Sequence, residues 1–245
     1  MSIAAGPFSG LTQHGYGFIE ADPAWAWTSY AGKASAPHRT AEAPYPVMSL
    51  DEMKALPVAD LAAKDCLLNM WVIGSHLDQA IELGRHWGFT FKSDGFVWVK
   101  TGKHDPSVRP ISMGKWVRKQ VEYSLLFSRG KPSRTDAGVR QLIETGDNVI
   151  YAPKREHSRK PDERYERIER LKAGPYVELF GRTDRPNWDA WGNETGRFSL
   201  QPVQESAVSH SGPNARIPPL SDDILRLLGT TPTATQHSEI LSLLG

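Results

Sequence analysis

An acid, a proline and an indole follow the first apolar run of the chain, 17–21, as Asp22-Pro23-Ala24-Trp25. In an open α/β sheet, ligands bind outside the carboxyl ends of the strands. At a strand end, this tetrapeptide would place a carboxylate acceptor, a rigid turn and a flat stacking surface in one crevice. Those groups suit an aromatic amine such as a nucleobase. A buried Asp that caps a turn beside a core Trp would give the same tetrapeptide, so the rest of the chain has to decide.

Two further polar clusters, 178–182 and 187–194, lie at predicted strand ends, and Lys160 lies at a predicted helix start. An acid at a strand end, such as Glu178, can accept hydrogen bonds from ribose hydroxyls or from an amine. A lysine and an arginine can bind a carboxylate. Together with Asp22, these residues could hold a zwitterionic nucleoside cofactor beside a flat amine substrate.

Most metal and nucleophile classes are excluded by missing motifs. The sequence has no His-Glu-x-x-His, nucleophile elbow, phosphate loop or Gly-x-Gly-x-x-Gly after a strand, and no metal is predicted. The single Cys66 lies in an apolar run and is predicted to be a buried, inert thiol. No apolar run is long enough for a membrane span and no secretion signal is present, which predicts a soluble, cytoplasmic protein.

Net charge is +1, from 29 basic and 28 acidic residues, so any contact with nucleic acid must depend on a local patch. The segments 100–119 and 129–134 are basic. In the first, Trp116 lies among the candidate substrate-binding residues Lys100, Lys115, Arg118 and Lys119. This pattern suits a nucleic-acid backbone with an aromatic interleaved, and it also suits a solvated loop.

The elements that would position these residues alternate along the chain. Strands are predicted at 17–21, 66–73, 89–100, 121–128, 148–152 and 176–180. Helices are predicted after Ser49, which forms a capping box with Glu52, after Ser75 as far as Gly88, and from Pro161. The strand-helix-strand unit predicts an α/β fold with a mostly parallel sheet.

The remaining segments carry little periodicity. Residues 1–15 are predicted to be a flexible lead-in, and 186–194 a compact aromatic turn. The long stretch 26–46 is predicted to be a substrate-gating loop, with a disordered connection as the alternative. From residue 198 the composition predicts a Ser/Pro-rich linker with short C-terminal helices, so the domain boundaries are 1–15, 16–197 and 198–245.

Several motifs in this order resemble those of the MT-A70-like family, which includes the catalytic subunit of mRNA adenosine N(6)-methyltransferase and bacterial and phage DNA adenine methyltransferases. The resemblance covers about 17–194. The motifs are Asp-Pro-Ala-Trp (22–25), Met-Ser-Leu-Asp-Glu-Met (48–53), Leu-Asn-Met-Trp-Val (68–72), Val-Trp-Val-Lys-Thr (97–101), Ser-Arg-Lys-Pro-Asp-Glu-Arg-Tyr (158–165), Glu-Leu-Phe-Gly-Arg (178–182) and Pro-Asn-Trp-Asp-Ala-Trp-Gly-Asn-Glu (186–194).

The resemblance implies a Rossmann-like methyltransferase fold with the β-class motif order and S-adenosylmethionine as cofactor. It assigns Asp22, Pro23 and Trp25 to catalysis and to holding the adenine, and Tyr45 to the gating loop. The cofactor residues that it implies are Asp22, Lys160, Glu178, Arg182, Asn193 and Glu194. It also implies a nucleic-acid substrate and a possible homodimer or related partner subunit.

Three departures from the family pattern keep an alternative open. Ala24 replaces a second proline, Glu194 replaces a glutamine, and the segment ahead of the first strand is short. A non-catalytic, nucleic-acid-binding or scaffold subunit is therefore the alternative, and methylation of a small molecule or protein is a third. We expect DNA rather than RNA as substrate, in a bacterial or phage-like setting, because the domain is compact and carries no RNA-binding appendage.

Overall fold

The computed structural model describes residues 1–25, 47–108, 110, 116–134, 148–155 and 159–196, and the backbone of 198–199. The predicted gating loop 26–46 and nearly all of the predicted linker 198–245 lie outside the described residues. The elements are β1 (Tyr16–Ala21), α1 (Leu50–Lys54), β2 (Ala62–Val72), α2 (Leu77–His86), β3 (Thr90–Thr101), β4 (Val121–Arg129), β5 (Val149–Pro153), α3 (Glu163–Leu171), β6 (Tyr176–Leu179), β7 (Thr183–Asp184), β8 (Trp188–Trp191) and β9 (Phe198–Ser199).

Strand β1 lies inside a seven-stranded sheet of order β5-β3-β4-β2-β1-β6-β8. It pairs in parallel with β2 on one side and with β6 on the other. Strand β4 pairs antiparallel with both of its neighbours, and the other pairings are parallel, so the remaining strands share one direction. This confirms the predicted α/β fold with a mostly parallel, Rossmann-like sheet.

Both faces of the sheet are covered, which explains why β1 is buried throughout. Successive residues of a strand point to opposite faces. Ile19 belongs to the core that includes Met53 of α1 and Leu83 of α2. Phe18 belongs to the second core, which includes Ile168 of α3. The sheet is thus the middle layer of three, and its carboxyl edge is left for the loops that carry function.

The helix ends agree with the sequence only in part. The capping box is confirmed, because Ser49 Oγ accepts from the Glu52 N–H at 3.2 Å and Glu52 Oε2 accepts from the Ser49 N–H at 2.7 Å. The predicted cap Ser75 is wrong. His76 is the N-cap of α2, and Ser75 Oγ instead lies 2.9 Å from His76 Nδ1, since it is one residue too early to reach the first free N–H groups. Gly88, with a φ of 87°, ends that helix as predicted.

Two further boundaries differ. Helix α3 has Asp162 as its N-cap, so Pro161 precedes the helix and is not in its first turn. Part of the predicted turn 186–194 is strand β8, which pairs with β6 at the edge of the sheet. A strand of four residues between turn-forming neighbours is too short to show a periodic pattern in the sequence. It forms because the backbone N–H and C=O groups along the edge of β6 are available for pairing.

Residues 1–15 are packed against this domain. The Phe8 ring is buried and meets the Trp191 ring edge to face, with centroids 5.0 Å apart. Within the segment, the Ile3 N–H donates to the Leu11 carbonyl and the Gly10 N–H donates to the Ile3 carbonyl. Cys66 is buried as predicted, and burial raises the pKa of its thiol to about 12. Among the described residues, no helix has the length and apolar character to cross a membrane.

Candidate active site

Asp22 lies where β1 and β6 end side by side. Its N–H donates to the Leu179 carbonyl at 3.3 Å, which carries the parallel ladder one residue past the strand. A tight turn follows, in which the Pro23 carbonyl accepts from the Trp25 N–H at 2.8 Å. The Asp22 side chain keeps 23% of its surface exposed, so its carboxylate faces the crevice at the edge of the sheet.

Trp25 is held inside the core rather than displayed. The residue is 6% exposed, and its indole donates from Nε1 to the Trp71 carbonyl at 3.0 Å. The His76 ring lies beside it, with centroids 5.8 Å apart. The structure thus leaves little of the expected stacking surface open, and Trp25 fixes the turn that carries Asp22.

Lys160 and Asp22, 138 residues apart in sequence, form a direct ion pair. Lys160 Nζ donates to the two Asp22 carboxylate oxygens at 2.9 and 2.7 Å. It also lies 3.3 Å from Glu122 Oε2 and 5.6 Å from the centre of the Trp71 ring. Burial alone would lower the pKa of Lys160, but the charges of Asp22 and Glu122 outweigh it and raise the pKa, so the ammonium stays charged.

Glu122 is a site residue that sequence reasoning missed. Its Oε1 accepts from Lys100 Nζ at 2.5 Å, so the carboxylate joins Lys100 to Lys160. Lys100 is buried beside the Trp98 ring and does not form part of an exposed basic patch. Glu122 is the second residue of β4, and because β4 is antiparallel its first residues lie at the carboxyl edge of the sheet. A reversed strand has no signature of its own in the sequence.

Glu178 is buried on β6 and already paired. Its Oε1 accepts from Arg164 Nη2 at 2.6 Å and its Oε2 accepts from the Tyr165 hydroxyl at 2.7 Å. Arg164 also contacts Glu20 of β1, with 3.1 Å from Nε to Oε1. Glu20 and Arg164 were likewise missed, because charged residues within a strand or a helix usually indicate a solvated face.

A crevice opens between these segments. It brings together acids and cations from the end of β1, from β6 and the turn after it, and from α3 and the segment before it. The lining residues are Asp22, Arg159, Lys160, Arg164, Glu178, Phe180, Arg182 and Thr183. Phe180 has a left-handed backbone, with φ 61°, which turns the chain sharply after β6 and places Arg182 at the crevice.

The predicted residues Asn193 and Glu194 follow β8 and lie near this turn. The Gly181 N–H donates to the Trp191 carbonyl at 3.0 Å, and a Cβ on Gly192 would lie 2.6 Å from the Gly181 carbonyl oxygen. The two loops therefore touch backbone to backbone. Asn193 is exposed, and Glu194 is half-buried.

The predicted substrate residues are only partly described. Lys119 reaches over the turn after β2, since a Cβ on Gly74 would lie 2.6 Å from its Nζ. Arg118 is exposed, and Trp116, two residues before it, is 93% exposed. Tyr45 and Lys115 lie outside the described residues.

The crevice between adjacent parallel strands, with a sharp acid-bearing turn beside it, is the arrangement in which Rossmann-like folds bind nucleoside ligands. The sequence comparison makes the class specific. The chain belongs to the MT-A70 family of S-adenosylmethionine-dependent methyltransferases, whose model matches residues 16–194. The resemblance found in the motifs is thereby confirmed.

Individual relatives agree with this assignment. The chain is 32% identical over 206 residues to the Type II methyltransferase M.MunI of Mycoplasma sp, covering 76% of this chain and 81% of that protein. It is 39% identical over 166 residues to the N(6)-adenosine-methyltransferase MT-A70-like protein of Drosophila melanogaster, and 36% identical over 166 residues to the catalytic subunit METTL3 of Homo sapiens. Each of these two matches covers 65% of this chain, but the chain spans only 25% and 27% of those proteins.

Proposed function

We propose that this protein is an S-adenosylmethionine-dependent N(6)-adenine methyltransferase that acts on nucleic acid, with DNA favoured over RNA. The ion pair between Lys160 and Asp22 supports the proposal most directly. The first is the expected cofactor lysine and the second the expected catalytic acid, and they meet at the carboxyl edge of the sheet at 2.7 Å. Family membership supports the same chemistry.

The charges of the crevice fit the cofactor. A zwitterionic nucleoside needs cations for its carboxylate, an acid for its amine and an acid for its ribose hydroxyls. Lys160 and Arg182 supply the cations, Asp22 the first acid and Glu178 the second, all of them lining one crevice. Asn193 and Glu194 would complete the site from the neighbouring loop. When bound, S-adenosylmethionine supplies an electrophilic methyl group on its sulfonium.

Asp22 and Pro23 account for the activation of the amine. The lone pair of the adenine amine is delocalised into the ring, which makes it a poor nucleophile. Hydrogen bonds from its N–H groups to the Asp22 carboxylate and the Pro23 carbonyl would oppose that delocalisation and favour the pyramidal, cationic transition state. The Pro23 carbonyl accepts only the Trp25 N–H among the described residues, so a second lone pair can accept the amine. Asp22 need not take the proton in the chemical step.

Nucleic acid as the substrate is supported by side chains at the same edge of the sheet. Arg118 and Lys119 are exposed and follow the exposed Trp116, which suits phosphates and an unstacked base. In duplex DNA, the target adenine would have to leave the stack to reach Asp22. We favour DNA because the similarity to the Type II methyltransferase extends over 206 residues of this chain, whereas the similarity to the adenosine methyltransferase of Drosophila melanogaster extends over 166.

The test is to incubate the protein with methyl-labelled cofactor and DNA or RNA of mixed sequence, and then to analyse the nucleosides. We expect label in N(6)-methyldeoxyadenosine. Asp22→Ala should abolish transfer while calorimetry still detects cofactor binding, because Lys160 keeps Glu122 as a partner. Asp78→Ala, an exposed acid on α2, is the matched control and should transfer normally.

Three outcomes would contradict parts of the proposal. Substantial turnover by Asp22→Ala would remove Asp22 from the mechanism. Label in RNA alone would overturn the DNA preference. Cofactor binding by the unaltered protein without transfer to either nucleic acid would favour the non-catalytic subunit.

A further inference from the structure

Arg164 is a buried cation that joins the two strands bearing the proposed site. From α3 its Nε donates to Glu20 on β1 at 3.1 Å and its Nη2 donates to Glu178 on β6 at 2.6 Å. Glu20 lies two residues before Asp22 in the sequence. Strands β1 and β6 are thus connected through one guanidinium as well as through their backbone hydrogen bonds.

The same guanidinium holds the backbone that carries Lys160. Its Nη1 donates to the Lys160 carbonyl at 3.2 Å and to the Pro161 carbonyl at 2.9 Å. Its remaining N–H donates to the Tyr165 oxygen at 2.8 Å. With the bonds to Glu20 and Glu178, every one of the five N–H groups has an acceptor, so the planar fork has one orientation.

A second arginine holds the same carbonyl from the outer side. Arg155 Nη2 donates to the Lys160 carbonyl at 2.5 Å, and its Nη1 pairs with Asp162 at 2.6 Å. The Arg155 side chain keeps 27% of its surface exposed, so it lies at the edge of the domain. The Lys160 carbonyl is therefore fixed between one buried and one outer arginine.

We propose that Arg164, supported by Arg155, is the positioning residue for Lys160. The inference rests on the proposed function, in which Lys160 binds the cofactor. A lysine side chain has four rotatable bonds, and its ammonium meets a ligand reliably only when the backbone beneath it is fixed. The two arginines fix that backbone through the Lys160 and Pro161 carbonyls.

Stability alone accounts poorly for Arg164. A buried ion pair costs desolvation free energy, and well-packed apolar side chains of similar volume often give equal or greater stability. What an apolar residue cannot supply is the fork that binds two consecutive carbonyls and two carboxylates together. The geometry of Arg164 is thus explained by what it holds in place.

The test compares Arg164→Met and Arg155→Met in methyl-transfer kinetics at saturating nucleic acid. If the arginines position Lys160, the cofactor KM should rise about fivefold in Arg164→Met and about twofold in Arg155→Met, because the backbone that carries Lys160 is no longer fixed. A purely structural role would lower the amount of folded enzyme, and therefore the apparent kcat, with the cofactor KM unchanged. Arg167→Met, on the same helix and paired with the exposed Glu163, is the matched control and should leave the KM unchanged.

The double variant Arg155→Met/Lys160→Met tests whether Arg155 affects cofactor binding through Lys160. If the arginine acts through Lys160, it changes the cofactor KM little once Lys160 is gone, whereas additive effects would overturn the inference. If Arg164→Met does not fold, Arg155→Met still tests the proposal, because Arg155 lies at the surface. An unchanged cofactor KM in both arginine variants of an active enzyme would overturn the positioning role alone. Failure of the unaltered protein to bind cofactor would overturn the proposed function as well.

Discussion

Replacing Glu20 by Gln should flatten the pH dependence of the stability of this fold. Glu20 is fully buried between Arg164, Asn69 and Trp71. Burial, together with the charge of Glu178, raises the pKa of Glu20 from 4.5 to about 7, although Arg164 and the hydrogen bonds from Asn69 and Trp71 oppose the rise. The folded protein therefore holds a proton on Glu20 at pH values where the unfolded chain has released it.

The sign and size of the effect follow from this difference. Protonated Glu20 contributes stability that is fully present below about pH 4.5 and is lost as the pH rises through about 7. The difference between the two pKa values corresponds to about 3 kcal/mol over that range. Glutamine is neutral at every pH, so Glu20→Gln removes this contribution to the pH dependence.

The substitution should be tolerated by the buried polar cluster. The Gln oxygen can keep the bonds from Trp71 and Arg164, but its NH₂ group would face the NH₂ group of Asn69. Asn69 Oδ1 has no hydrogen-bond partner in the part of the chain that the structure describes. A half-turn of the Asn69 amide would present that oxygen to the new donor.

The measurement is urea unfolding of both proteins at pH 5 to pH 8, with Glu166→Gln, an exposed acid on α3, as the control. The stability of Glu20→Gln relative to the unaltered protein should increase by about 2–3 kcal/mol across this range, and Glu166→Gln should run parallel to the unaltered protein. Parallel curves for Glu20→Gln as well would show that Glu20 does not titrate between these values and would refute the reasoning.

Two further predictions concern the cores. Gly84→Ala should lower the free energy of unfolding by about 1–3 kcal/mol, measured by urea denaturation, because the new Cβ would lie 2.7 Å from Phe127 Cζ in a packed interface. Stability equal to the unaltered protein would show that the Phe127 ring can move aside. Cys66 should react with a thiol reagent only after unfolding, since burial raises the pKa of its thiol to about 12. Rapid reaction in the native protein would contradict that burial.

The part of the site that the sequence predicts is the local part. Strand β1 is a run of buried residues followed by Asp22 and Pro23, and both the burial and the turn can be predicted from residues that are adjacent in the sequence. The capping box at Ser49 and the stop at Gly88 are local in the same way. Predicting that Lys160 lies beside Asp22 required the family resemblance, because nothing in the intervening sequence indicates which strand α3 packs against.

What the sequence did not predict depends on tertiary packing. Glu122 belongs to the site only because β4 is antiparallel, and strand direction is set by the connections and not by composition. From the sequence, Trp25 could stack on a ligand or fill the core. In the structure it fills the core, where the Trp71 carbonyl accepts a hydrogen bond from its indole N–H. Glu20 and Arg164 look like surface charges until their partners on other elements are known.

The ion pair between Lys160 and Asp22 has a thermodynamic consequence. The two groups pair with each other at 2.7 Å, so a ligand that binds either one must compete with this contact. The affinity of each ligand is therefore the difference between the contacts that it makes and the contact that it breaks. Lys160 cannot turn fully to a ligand carboxylate without loosening its hold on Asp22, and Asp22 is then free to accept the hydrogen bonds of an amine. Under the proposed roles, occupation of the cofactor half lowers the free-energy cost of filling the base half, and by linkage the reverse is equally true. A contact between two residues of the site would in this way couple its two ligands.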